Sequence, residues 1–121
     1  MDLFFLRHAI AVQRGTSEYP NDDRPLTKDG IRKMKKAARG IATLVDSFDV
    51  ILSSPLVRAY DTARIAADAV KYTSDIEQCG ELLPGAGTAE FLALLEHLPG
   101  VQRSVNRWNK FGAHCLEHSV V

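Results

Sequence analysis

The sequence predicts an α/β domain, and three observations predict it. A short apolar run, Leu3-Phe4-Phe5-Leu6, stops abruptly at Arg7-His8, and a second run ending in Val50-Ile51-Leu52 stops at Ser53-Ser54-Pro55. Each is followed, directly or after a loop, by a stretch whose apolar residues recur every three to four positions, the period of a helix packed on one face. Strand then helix, twice over, is the pattern of parallel strands joined by right-handed crossovers.

Residues 2–6 read as the first strand. Residues 9–26 read as a loop, because Gly15, Pro20, Asn21, Asp22, Asp23 and Pro25 interrupt any period. A helix is expected from Thr27, whose hydroxyl can cap free backbone N–H groups. Ile31, Met34, Ala38, Ile41 and Val45 form its apolar face, while Lys28, Arg32, Lys33, Lys35, Lys36 and Arg39 suit a solvated one. Asp49–Leu52 reads as the second strand. Ser54 and Pro55 fit the cap and first position of a helix running to about Val70, with Leu56, Ala59, Tyr60, Ala63, Ala67 and Val70 inward. A short third strand fits within 74–78. Thr88 to Leu98 reads as a third helix carrying Phe91, Leu92, Leu94 and Leu95, ended by Pro99-Gly100.

At 121 residues the chain suits a single domain spanning 1–121. Its 15 basic and 15 acidic residues balance, so no global field favours nucleic acid or membrane as a partner. The N-terminal apolar run is too short for a membrane span or signal peptide. Cys79 and Cys115 form no CxxC pair, and a cytoplasmic location is the expectation. His114, Cys115 and His118, with Cys79, make only a weak zinc pattern, so no metal is expected.

Chemistry concentrates where strands end. Ligands of open α/β sheets bind beyond the carboxyl ends of the strands. Arginine reads phosphate with a planar fork, and histidine serves readily as base or nucleophile near neutral pH. Arg7 and His8 close the first strand, and Arg58 lies in the first turn of the helix that follows the second. With the positive end of that helix they suit a tetrahedral anion. The competing reading of Arg58 is a helical ion pair with Asp61.

Leu3-Phe4-Phe5-Leu6-Arg7-His8-Ala9 resembles the signature of the histidine phosphatase superfamily, relatives of phosphoglycerate mutase. Asp23-Arg24-Pro25-Leu26-Thr27-Lys28-Asp29-Gly30, and the run from Asp49 to Ala63, are similar to its SixA branch, the phosphohistidine phosphatases. The resemblance covers about the first 100 residues. It implies a three-layer α/β/α fold with a mostly parallel sheet, and a metal-independent phosphatase needing no cofactor. His8 would be the nucleophile forming a phosphohistidine intermediate, its far ring nitrogen held by a backbone carbonyl. Arg7 and Arg58 would bind the phosphoryl oxygens. Glu81, before Leu82-Leu83-Pro84-Gly85, would be the candidate acid for the leaving group. The substrate would be a phosphohistidine-bearing protein or a small phosphate ester. The alternatives are a broad phosphomonoesterase and a weakly catalytic module that holds phosphate or a phosphoprotein.

After Gly100 the resemblance dissolves. Residues 101–110 are too polar for a central strand, and Gly112-Ala113-His114 is the nearest echo of the family's second histidine motif. His114 is therefore the candidate second histidine, and residues 101–121 read as an atypical tail, as in a truncated or frameshifted chain. A missing strand would leave a sheet edge free to pair with a second copy.

Overall fold

The computed structural model describes residues 3–15, 17–20 and 22–98, and the backbone of 118–120. Among the described residues, three helices and a four-stranded sheet make up the frame. In chain order these are β1 (Phe5–Arg7), α1 (Lys28–Leu44), β2 (Leu52–Ser53), α2 (Val57–Ala69), β3 (Glu77–Gln78), a 3-10 turn (Gly80–Leu82), α3 (Thr88–Glu96) and β4 (His118–Val120).

The sheet order is β1-β4-β2-β3. β2 and β3 pair in parallel from Leu52↔Glu77 to Ser53↔Gln78. β4 runs antiparallel to both its neighbours, pairing Phe5↔Val120 on β1 and Leu52↔Val120 on β2. β1, β2 and β3 thus point the same way, so their carboxyl ends share one edge. The sequence pattern announced β1, β2 and β3, but not the strand that the tail places between β1 and β2. Three residues are too few to display a period.

Side chains alternate across the strands and split the core between the two faces. Leu52 packs with Cys79, Leu82, Phe91 and Leu95, joined by Leu3 and Phe5, on the α3 side. Ile51 packs with Ala63 and Ala67, joined by Leu6, on the α2 side. Leu6 also reaches Met34, Ala38 and Ala66, where α1 lies against α2. Burying a residue as large as Phe91 contributes about 1.5–3 kcal/mol. Its ring meets Phe5 at 6.1 Å, which ties α3 to β1.

Thr27 caps α1 as its sequence predicts, accepting from the Gly30 N–H at 2.9 Å. The lysines and arginines of α1 are exposed, as a solvated face requires. The start of α2 differs from expectation. Ser54 and Pro55 precede the helix, Leu56 occupies the cap position without a side-chain bond, and helical geometry begins at Val57. Ser54 Oγ instead accepts from the Leu56 N–H at 3.3 Å, so it is spent in the turn that carries the chain off β2. Arg58 and Thr62 are buried along with Ala59, Ala63, Ala66 and Ala67 of α2. Among the described residues, no helix is long and apolar enough to cross a membrane.

Candidate active site

Because β1 and β2 run together, Arg7-His8 and the start of α2 emerge at the same edge. There a cavity of about 170 Å³ is lined by Arg7, His8, Arg14, Arg24, Ser54, Leu56, Arg58, Ala59, Leu82 and Pro84. The three residues singled out from strand ends therefore meet in one place. Glu81 is half-buried in the 3-10 turn beside this wall and is not among the lining residues. His114 lies outside the described residues.

His8 is fixed by its own backbone neighbour. Its Nδ1 lies 2.8 Å from the Ala9 carbonyl oxygen. A carbonyl can only accept, so Nδ1 carries the proton and the lone pair of a neutral ring sits on Nε2. Ala9 is fixed in turn: its N–H donates to Thr62 Oγ1 at 3.0 Å, and the Thr62 hydroxyl donates to the Arg58 carbonyl at 2.7 Å. Thr62 is wholly buried. One hydroxyl thus sets the distance between the loop bearing the histidine and the first turn of α2 bearing the arginine.

Arg58 is a buried cation, 3% exposed, and its partner is Asp22 rather than Asp61. Its two terminal nitrogens donate to the Asp22 carbonyl at 3.2 Å and to Asp22 Oδ2 at 3.4 Å. Asp61 lies 3.9 Å from Arg64 instead. Arg58 Nε is buried and has no hydrogen-bond partner, an available donor beside the cavity. Arg24 joins the same carboxylate, donating from Nε to Asp22 Oδ1 at 2.9 Å, and donates from its NH1 group to the Val12 carbonyl at 2.9 Å. Partial burial raises the Asp22 pKa, but the hydrogen bond from Arg24 and the charge of Arg58 outweigh it and leave the group below its ordinary 3.8. Asp22 adopts φ 60°, a left-handed conformation that aspartate tolerates better than most residues.

Asp22, Arg24, Arg14 and Thr62 received no role from the sequence. Arg24 stands inside a motif that carried the resemblance, which was the available signal. Asp22 and Arg14 sit in a loop without periodicity, so only the folded chain shows where they go.

Four guanidinium groups, a helix N-terminus and a histidine with its Nε2 lone pair free at a sheet edge have the charge and donors that suit a tetrahedral oxyanion. Sequence similarity points the same way. Residues 3–82 match the histidine phosphatase superfamily (branch 1), and the chain belongs to it. An uncharacterized protein of Picosynechococcus sp. is 40% identical over 97 residues, which are 79% of this chain and 57% of that protein. Among solved structures, the phosphohistidine phosphatase SixA assignment from Agrobacterium tumefaciens is similar with a TM-score of 0.67 and 26% identity, over 83% of this chain and 64% of that one. The protein histidine phosphatase SixA in complex with tungstate is similar with a TM-score of 0.63 and 27% identity, over 78% and 62%. The chain thus spans about three-fifths of the length of these relatives.

Proposed function

We propose that the protein is a phosphohistidine phosphatase that works through a covalent intermediate on His8. The observation that carries the reading is the Nδ1 contact to the Ala9 carbonyl, which leaves Nε2 as the nucleophilic atom in a cavity walled by arginines. In the first step the Nε2 lone pair attacks phosphorus and the bond from phosphorus to the substrate's imidazole nitrogen breaks. The substrate ring, protonated from solvent on its other nitrogen, leaves as neutral imidazole, and the phosphoryl group stays on His8. The ring gains positive charge as it is phosphorylated, and the Ala9 carbonyl oxygen stabilises the Nδ1–H that shares it. In the second step water attacks phosphorus, the bond to Nε2 breaks, and inorganic phosphate and free His8 result.

Arg7 and Arg58 would bind the oxygens on which charge rises during transfer, with Arg58 Nε as a donor awaiting one. These fixed cations supply the charge that a metal ion supplies elsewhere, so activity is expected to survive EDTA. Dependence on added magnesium or zinc would contradict this. Glu81 belongs to the proposal as an acid for poorer leaving groups: Glu81→Gln is expected to slow an aryl ester more than a phosphohistidine protein.

The test offers purified protein a phosphohistidine protein and a chromogenic phosphate ester. Turnover of the first, with an acid-labile phosphoenzyme absent from His8→Ala, is the expected result. Turnover of the ester alone would favour a broad phosphomonoesterase. Vanadate or phosphate binding without turnover would favour a phosphate-holding module.

A further inference from the structure

The four arginines of the cavity exceed what a phosphoryl group needs. Arg24 and Arg58 share the Asp22 carboxylate, whereas Arg7 and Arg14 have no carboxylate partner among the described residues. A phosphoryl dianion and Asp22 together leave about one positive charge unanswered. By position that charge belongs to Arg14: Arg7, equally exposed, lines the inner cavity alone, whereas Arg14 also borders a neighbouring hollow. This second hollow, of about 280 Å³, is lined by Arg14, Gly15, Tyr19, Pro20, Asp22 and Arg24. Arg14 and Arg24 belong to both spaces, so the two are adjoining compartments.

The compartments differ in chemistry. The inner one holds His8, Arg7 and Arg58. The outer one offers the Arg14 guanidinium, the half-buried Tyr19 and a wall formed by Arg24, which is held rigid by Asp22 and Val12. Asp22 lines the outer hollow too and would repel an anion if free, but Arg24 and Arg58 occupy its oxygens.

We infer that Arg14 and Tyr19, beside Arg24, form a second anion subsite, and that the preferred substrate carries an acidic group next to its phosphoryl group. This inference rests on the phosphatase reading and names its substrate class. Two sources share the chemistry: an acidic side chain adjacent to phosphohistidine in a protein, and a carboxylate on a small phosphate ester. Arg14 is then a specificity-determining residue.

The experiment uses two matched pairs. One is a phosphohistidine peptide flanked by glutamate against the same peptide flanked by alanine. The other is an aryl phosphate bearing a carboxylate against its methyl ester. The expected result is a kcat/KM about fivefold higher for the acidic member of at least one pair, the effect of an exposed charge pair of usual strength. The pair that shows it identifies the source. Arg14→Gln brings the ratio to about one, while Lys35→Gln, which removes a charge from the exposed face of α1, keeps it. Ratios of about one in the wild type, or a preference that survives Arg14→Gln, overturn the inference. Calorimetric binding of the two aryl phosphates to His8→Ala protein separates the two readings. Preference for the carboxylate without turnover by the wild type sinks the phosphatase reading alone; equal binding sinks the subsite.

Discussion

Arg58 is a cation that the fold withdraws from water, and a withdrawn charge is tolerated only when compensated. Asp22 supplies the compensation, so Asp22→Asn is expected to cost about 1–2 kcal/mol, less than for a fully buried pair because its side chain is 43% exposed and screened. Urea unfolding measures it. The pH dependence follows from the lowered pKa of Asp22: its contribution is fully present above the ordinary 3.8 and is lost as pH falls through the lower folded value. The Asn variant should lack that acid-dependent component. Thr62 permits a second test at this scale. Thr62→Val keeps the shape but strips the Ala9 N–H of its acceptor, which is expected to cost about 1–3 kcal/mol. A third concerns Cys79, whose thiol is pushed up to about 11 by burial and then by Glu81 and Glu77. In a Cys115→Ser background, native protein should resist alkylation at neutral pH and react fast only in urea. Rapid native alkylation would contradict the buried thiol.

At the scale of elements, the chain was legible wherever an element is long enough to show its period. α1 extends from a capped start and buries Met34 and Ala38 of the five positions its spacing picked out, while Ile31 and Ile41 are half-buried and Val45 is the C-cap. The strands are two or three residues long, so their bounds shift from the expected 2–6 and 49–52 to Phe5–Arg7 and Leu52–Ser53. Apolar runs mark where a strand lies, but ladder bonds decide where pairing starts. Arg58 was picked out by its place after β2, but the spacing along α2 shows neither its burial nor that of Thr62, because a polar side chain on an inward face is decided by a distant partner, Asp22 or the Ala9 N–H. Gly30 shows the same dependence. In the first turn of α1 it faces the loop after β1, and a Cβ there would collide with the Ile10 carbonyl oxygen. That oxygen already accepts the Thr27 N–H at 2.9 Å, so backbone holds it in place. Gly30→Ala is therefore expected to destabilise by about 1–3 kcal/mol despite the better helix propensity of alanine. A gain in stability would show that the loop can move away from α1.

For the whole molecule the site depends on β1 and β2 ending together, and the two strands do not touch. β4 lies between them and pairs with both, which sets their axes about 10 Å apart, two strand spacings. The tail after residue 100 echoes the family only at Gly112-Ala113-His114, yet its residues His118–Val120 occupy the middle of the sheet. No sequence pattern could have shown this, because the partners of His118–Val120 lie more than sixty positions upstream and the strand carries no periodicity of its own. The consequence is testable. A chain ending at residue 117 would leave the inner ladders of β1 and β2 unpaired, with Arg7-His8 tied to Arg58 through Thr62 and the apolar packing of Leu3, Phe5 and Leu6. It is expected to melt several degrees lower, since about 1 kcal/mol corresponds to roughly 4–8 °C in a domain of this size. Exposed strand edges should also drive it into larger species in size-exclusion chromatography, because an unpaired edge pairs with another chain. Phosphate affinity should fall with the melting temperature. A truncated chain that melts unchanged, elutes unchanged and binds phosphate as before would show that β4 contributes nothing to holding the two halves of the site together.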